Sequence, residues 1–229
     1  MTRNNYEVAF EVAGPAAMFA RPDTGSTPIS YPVPTYSAAR GMFEAVLRRP
    51  HVYVHPTLVE ICRPIRYERY VTNYGGPLRK GKDINGKNSY QLMATILLDV
   101  CYRIHGEVQM KQMSTRGNGK TQLRCRRGQD WRPRFKTLFD DRLRRGQTFY
   151  TPCLGWKEFV PVYFGPFRDR DERGQEIRPE TTGEIHIPAM LISMWDHRQY
   201  KPSFRERWIV DGVMSYEYER PSKEVNDAE

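Results

Sequence analysis

Apolar and polar residues alternate over residues 6–12, which predicts a first strand, and Gly14-Pro15 is expected to end it. Residues 21–28 read as a loop and residues 31–36 as extended chain, because each proline disfavours helix at the residue before it. The period then changes: Ala39, Met42, Phe43 and Val46 fall at i, i+3, i+4 and i+7, the spacing of one buried helix face. Ser37 is placed to cap this helix and Pro50 to bound it, Gly41 reads as a close-packing position, and Arg40, Arg48 and Arg49 fall off the apolar face. Residues 51–55 and 58–65 predict two short strands. Val100, Tyr102, Ile104, Gly106, Val108 and Met110 alternate with Cys101, Arg103, His105, Glu107 and Gln109, a strand with one core face and one polar face. Phe135, Leu138, Phe139 and Leu143 form a helical stripe over about residues 133–145. Gly146 is placed to stop that helix, and Arg142, Arg144 and Arg145 sit in its last turn, where cations suit the helix dipole. Residues 159–164 and 185–195 read as strands around a charged loop at 168–182, and residues 208–216 as a hairpin turning at Asp211-Gly212.

This order of elements predicts an α+β protein, an antiparallel sheet with helices on one face, and a ferredoxin-like (RRM-like) β-α-β-β core as its specific form. Residues 73–87 and 114–129 are too polar, and the first too rich in glycine, to pack; both read as projecting loops. Residues 223–229 read as a solvated, disordered tail.

Composition narrows the class. A chain of 229 residues with 39% hydrophobic positions buries enough surface to fold without disulfides or metal, and its 12% aromatic content excludes disorder. No run approaches the roughly 18 apolar residues of a membrane span, and the first residues lack the apolar segment of a signal peptide, so a cytoplasmic protein with no membrane partner is expected. Cys62, Cys101, Cys125 and Cys153 show none of the paired spacings of zinc sites and read as reduced and mostly buried.

Charge adds a functional direction. The chain carries 36 Lys and Arg against 27 Asp and Glu, a net charge of +9. From Arg103 to Arg145 thirteen cations face four acids, so this window alone carries the whole surplus. A second block, from Arg63 to Lys87, holds seven cations against Glu68 and Asp83 and is interleaved with Tyr67, Tyr70 and Tyr74. Clustered cations beside aromatics suit a polyanion with stackable bases; a merely solvated basic surface is the plain alternative.

No phosphate-binding glycine loop, dinucleotide fingerprint, serine-hydrolase elbow or zinc-protease motif is present. His51 and His55 share a strand face with Tyr53, but no carboxylate cluster accompanies them, so no metal is assigned; His105 reads as a hydrogen-bonded surface histidine. Cleavage of RNA without metal needs only a base for the 2′-OH, a cation for the phosphorane and an acid for the leaving 5′-oxygen, and no cofactor. Tyr, His, Lys and Arg supply all three, and such residues abound here.

One block is more distinctive than the composition. Ser30-Tyr-Pro-Val-Pro-Thr-Tyr-Ser-Ala-Ala-Arg-Gly-Met-Phe-Glu-Ala-Val-Leu-Arg-Arg-Pro50 resembles the SY-V-x-x-S-A-A-R-G-x-x-E-A-I-x-W-K-P block of the CRISPR-associated Cas five family (RAMP superfamily), in the form found in type I-C systems. The resemblance continues in residues 14–22, Pro64-Ile65, residues 97–105 and residues 144–159, in family order. It implies a ferredoxin-like RNA-recognition core over residues 1–160 with a projecting basic thumb at about 70–90, and a β-rich C-terminal region over 161–222. It further implies metal-independent cleavage of CRISPR repeat RNA, retention of the 5′ handle, and a place at one end of the Cascade antiviral surveillance complex beside its backbone and large subunits, with target DNA as a further partner.

The family's catalytic Tyr or His falls on Leu47, and its Lys-His pair on Arg134 and Phe135. Leu47 and Phe135 cannot move protons, and Arg134, always protonated, is a poor base. Three readings stay open: Lys136, His51 or Tyr36 takes over the chemistry; the alignment slips by a residue or two; or this member binds handle RNA that another enzyme has cut. The expected RNA contacts are Arg40, Arg48, Arg49, the loop cations Arg79, Lys80, Lys82 and Lys87, and Arg142, Arg144 and Arg145. A non-catalytic structural cap and a protein that binds duplex DNA non-specifically are the rival readings.

Overall fold

The computed structural model describes residues 6–25, 27–74, 90–110, 130–180, 183–196 and 199–217. Strand β1 (Glu7–Ala17) leads to helix α1 (Tyr36–Val46), followed by β2 (Val52–Ile61), β3 (Tyr67–Tyr74), β4 (Tyr90–Met110) and helix α2 (Arg132–Arg144). Strands β5 (Tyr163–Gly165), β6 (Glu184–Asp196), β7 (Gln199–Val210) and β8 (Val213–Ser215) complete the chain. They form one eight-stranded sheet in the order β5-β1-β4-β2-β8-β7-β6, with β3 paired to the first half of β4. Every pairing between these strands is antiparallel.

The alternation along β1 and β4 divides the sheet into two faces. Val8, Phe10 and Val12 of β1 and Tyr102, Ile104 and Val108 of β4 are buried on the face that meets the helices. Phe43 of α1 packs edge-on against Phe10, with centroids 4.8 Å apart, and lies 5.8 Å from Phe139 of α2, so one aromatic cluster joins both helices to the central strands. Gly106 is what lets α1 sit this low. A Cβ there would come 2.8 Å from the carbonyl oxygen of His55 and 3.0 Å from the Phe43 ring.

The extended segment before α1 is also locked into the core. Pro32 and Pro34 offer carbonyls but no N–H groups, and the buried hydroxyls of Tyr102 and Tyr216 donate to those two carbonyls at 2.8 Å each. On the second face of the sheet, Glu11 is fully buried and holds Arg168 at 2.8 Å and Arg103 at 3.5 Å, tying down the loop that follows β5. Arg63 pairs with Asp171 from the same loop. Cys62 and Cys101 are free and buried under Ile177, as expected, while Cys153 is partly buried and Cys125 lies outside the described residues. A hydrogen bond between the Cys62 and Cys101 thiols, reinforced by burial, raises the Cys62 pKa well above the ordinary thiol range.

Several expectations need correction. Gly14-Pro15 does not end β1, which continues to Ala17: the ladder passes from Gly14↔Val100 to Ala16↔Leu98, and Asp99 opposite the proline adopts φ 49, so the missing N–H falls at an irregular point. The cap of α1 is Thr35, not Ser37; its hydroxyl accepts from the Ala38 N–H at 3.3 Å. The two strands expected at 51–55 and 58–65 are one strand, β2, which absorbs Pro56 in a register shift between Pro56 and Leu58 and ends at Ile61. The strand expected from Val100 begins ten residues earlier, at Tyr90, and its Met110 is exposed rather than core. Residues 159–164 yield only the short β5. Gly41 is not a close-packing position, since among the described residues a Cβ there meets nothing within 4 Å.

The expected ends of α2 and of the last hairpin hold. Helix α2 ends as predicted: Gly146 has φ 63, its N–H donates to Leu143 O, and that of Gln147 donates to Arg142 O. The hairpin turns at Asp211-Gly212, both with positive φ. The loops read at 73–87 and 114–129 lie outside the described residues, save for Asn73 and Tyr74 at the end of β3, and so does the tail at 223–229. Among the described residues no helix is long and apolar enough to cross a membrane.

Candidate nucleic-acid interface

The last turns of the two helices meet. Arg142 Nε donates to Val46 O at 2.8 Å, the Phe149 N–H donates to Ala45 O at 2.7 Å, and the Tyr150 hydroxyl donates to Gly41 O at 2.7 Å. The first two bonds satisfy carbonyls that a helix end leaves without intrahelical partners, and the negative end of each helix dipole favours the cations gathered there. Arg48 and Arg49 follow α1, while Arg144 and Arg145 end α2, and all four are exposed. Arg144 is 3.4 Å from Asp141, a solvent-facing pair that neutralises little.

Two aromatics complete this surface. Phe149 and Tyr150 are 48% and 40% exposed, unusually open for large rings. The Arg142 guanidinium lies 4.2 Å from the Phe149 ring centre, which fixes the ring against α2. Burial pushes the Tyr150 hydroxyl above its ordinary pKa and nearby Glu44 adds to this, while Arg48 opposes it, so the group stays a neutral donor. Exposed guanidiniums at the ends of both helices, with two open rings on the same junction, can neutralise phosphates and stack bases, the two requirements of single-stranded nucleic acid.

A second constellation lies where the first turn of α1 meets β2. The Tyr36 hydroxyl is 2.8 Å from His55 Nδ1, and His55 Nε2 is 4.0 Å from a Glu217 carboxylate oxygen. Arg40, one turn after Tyr36, bonds Glu44 through Nε at 3.0 Å and lies 5.2 Å from the Tyr53 ring. Burial raises the Tyr36 pKa, and Arg40 works against that shift. Tyr53 itself is held by Gln109, its hydroxyl donating at 2.6 Å.

The remaining sequence candidates are dispersed. Lys136 is paired with Asp140 at 2.9 Å and lines a cavity of about 650 Å³ with Glu7, Ala9 and His105, beside β1 and away from Tyr36. His105 bonds Glu60 at 3.0 Å, the hydrogen-bonded role expected of it. His51 precedes β2 and is partly exposed. Leu47, on the position where the resemblance expects a proton-transfer group, is buried at 1% exposure. Arg134 is exposed near the start of α2, with its guanidinium 5.6 Å from the Trp131 ring; Phe135 packs against the core. Arg142, which touches Val46, stands eight residues further along α2, so Arg134 is displaced from the end of α1 by about 12 Å of helix. Arg79, Lys80, Lys82 and Lys87 lie outside the described residues. Among the described residues no group of three or more His, Cys, Asp or Glu is arranged to hold a metal ion.

Sequence reading thus missed Phe149, Tyr150 and His55 as site residues. The signal for the first two was present, an aromatic pair three residues beyond Arg144-Arg145-Gly146 in a polar stretch. His55 was visible only as a neighbour of His51 and Tyr53; its contact with Tyr36 spans nineteen positions of sequence.

Comparison with known proteins adds an independent line. The family model described as CRISPR-associated protein (Cas_Cas5) matches residues 7–228. A CRISPR pre-crRNA endoribonuclease Cas5d of Thermus thermophilus is 30% identical over 157 residues, 68% of this chain and 62% of that protein, so the match spans less than two thirds of that relative. The protein of the same name from Mannheimia succiniciproducens is 26% identical over 222 residues, 90% of this chain and 93% of the relative. Among solved structures, a CRISPR-associated protein superposes with a TM-score of 0.65 at 18% identity, covering 93% of this chain and 92% of that one. A functionally uncharacterized protein from Streptococcus mutans gives 0.64 at 17% identity with the same coverage. A chain of a CRISPR RNA-guided surveillance complex gives 0.50 at 16% identity, covering 91% of this chain and 89% of that one. These structural likenesses concern the fold.

Proposed function

The chain belongs to the CRISPR-associated Cas5 family, and from that membership we propose that it binds the 5′ handle of CRISPR RNA within a type I-C-like Cascade complex. The observation that supports this reading is the surface at the joined ends of α1 and α2, where Arg142 lies 4.2 Å from the exposed Phe149 ring, the charge of Arg48 is felt at the exposed Tyr150, and the exposed Arg49, Arg144 and Arg145 lie at the ends of the same two helices. Phosphates of a single strand meet the guanidiniums while its bases meet the rings. Arg40 and the cations of the thumb at about 70–90 extend the contact, and the backbone and large subunits are the protein partners in this reading.

The strand order β5-β1-β4-β2, with α1 between β1 and β2 and α2 between β4 and β5, supports a ferredoxin-like core. In this reading the core is residues 1–160 completed by β5, and the rest of the β-rich region 161–222 extends the sheet from β2 through β8.

The catalytic part of the proposal is metal-independent cleavage of CRISPR repeat RNA. Both named relatives are pre-crRNA endoribonucleases, which supports it. A second reading, a non-catalytic cap that holds RNA cut elsewhere, is favoured by burial of Leu47 and by the apolar Phe135 at positions where the family carries proton-transfer groups. The test is incubation of the purified chain with labelled repeat RNA in EDTA, with mapping of the cut and its end chemistry. One cut leaving a 2′,3′-cyclic phosphate is expected of the nuclease. Tight binding of the mature handle without any cut is expected of the cap, and preference for duplex DNA of equal length overturns both.

A further inference from the structure

We propose that Tyr36 and His55 form the proton relay that activates the 2′-OH in this chain, with Glu217 orienting the imidazole and Arg40 facing the phosphorane. The proposal rests on the RNA-processing reading above and assigns it residues. The positions where the family resemblance expects proton transfer hold Leu47, which is buried, and Phe135, which packs against the core. The chemistry therefore needs other groups. Among the described residues, the contact between the Tyr36 hydroxyl and His55 Nδ1, at 2.8 Å, brings a hydroxyl and an imidazole together beside a guanidinium. His105, in contrast, meets the Glu60 carboxylate and the Phe167 ring.

The geometry sets the direction of transfer. Glu217 stands 4.0 Å from His55 Nε2 and favours the tautomer with its proton on Nε2. Nδ1 is then the basic nitrogen, and the Tyr36 O–H donates to it. The His55 and Arg40 side chains are 28% and 38% exposed and Tyr36 is half-buried, so the site is open enough for a strand yet partly shielded from water.

A ribose 2′-OH within reach of the Tyr36 oxygen gives its proton to that oxygen as the Tyr36 proton moves to His55 Nδ1. The 2′-oxygen forms a bond to the adjacent phosphorus, and the bond from phosphorus to the 5′-oxygen breaks. The departing 5′-oxygen takes a proton from water, and His55 returns its proton to solvent. The products are a 2′,3′-cyclic phosphate and a 5′-hydroxyl, with no change in oxidation state. Arg40, whose charge is already felt at Tyr36, offsets the negative charge that grows on the phosphorane.

The experiment is single-turnover cleavage of repeat RNA in EDTA by the full chain, its Tyr36→Phe and His55→Ala variants, and His55→Ala with added imidazole. RNA affinity and melting temperature are measured on each. Each variant is expected to lose at least about 100-fold in cleavage rate, the usual scale of acid-base catalysis, while binding RNA within about threefold of the unmodified chain. Imidazole is expected to restore cleavage to His55→Ala and not to Tyr36→Phe, which a packing role would not produce. Either variant cutting within about threefold of the unmodified rate overturns the relay, as does a folded, RNA-binding His55→Ala that imidazole leaves inactive. An unmodified chain that binds the handle but does not cut also overturns the relay and leaves the handle-binding reading standing; one that binds no RNA removes both.

Discussion

Replacing Arg144 and Arg145 together with alanine tests the interface through its salt dependence. Both side chains are exposed at the end of α2, and neither supports the helix junction, which is made by Arg142, Phe149 and Tyr150. Each phosphate neutralised on a single strand contributes about −0.7 to the slope of log affinity against log salt, so Arg48, Arg49, Arg144 and Arg145 together give about −2.8. Between about 50 and 200 mM salt that slope costs roughly 50-fold in affinity, and the two arginines left in the variant cost roughly 7-fold. Cations elsewhere on the chain add equally to both slopes, so the informative quantity is their difference, about 1.4. Fluorescence anisotropy with a labelled single-stranded handle RNA at several salt concentrations measures it. A slope identical in the two proteins, or a binding constant insensitive to salt in the unmodified chain, refutes the assignment of phosphates to this surface.

Five further substitutions probe the frame. Glu11→Ala leaves the Arg103 and Arg168 guanidiniums, 14% and 21% exposed, without the buried carboxylate they share; a loss of about 3–5 kcal/mol in urea unfolding is expected, and a loss below about 1 kcal/mol contradicts a structural role for this trio. Gly155→Ala is expected to destabilise by roughly 3 kcal/mol, because φ is 90 and the new Cβ would overlap the Met18 carbonyl. Gly41→Ala, in an open position within α1, is expected to stabilise by about 0.5–1 kcal/mol; a stabilising Gly155→Ala or a strongly destabilising Gly41→Ala in thermal melts overturns these packing assignments. Thr35→Ala removes the hydroxyl that caps α1 and is expected to cost about 1 kcal/mol, whereas Ser37→Ala changes stability little; equal costs contradict the cap assignment.

Much of the site was legible because its parts are local. The stripe Ala39, Met42, Phe43 and Val46 announces α1, and the same stripe states which residues, Arg40 among them, are left outside. Gly146 announces the end of α2 because the left-handed conformation it adopts is cheap only for glycine. The strand breaks expected at Gly14-Pro15 and between residues 55 and 58, where Pro56 stands, fail for one reason. Proline lacks an N–H, and whether that matters depends on what stands across the ladder. Opposite Pro15 is Asp99 with positive φ, and beside Pro56 is a register shift, neither of which is written near the proline itself.

The sequence by itself determined the periodicities and the positions of the cations, since each is a property of neighbours along the chain. Only the tertiary structure decided which distant segments meet. Arg142 meets Val46 because α1 and α2 pack on one sheet face with their last turns together, and Tyr36 finds His55 because β2 runs back beneath α1. Packing is a matter of register and depth, set by contacts such as Gly106 beneath Phe43 that have no counterpart in local pattern.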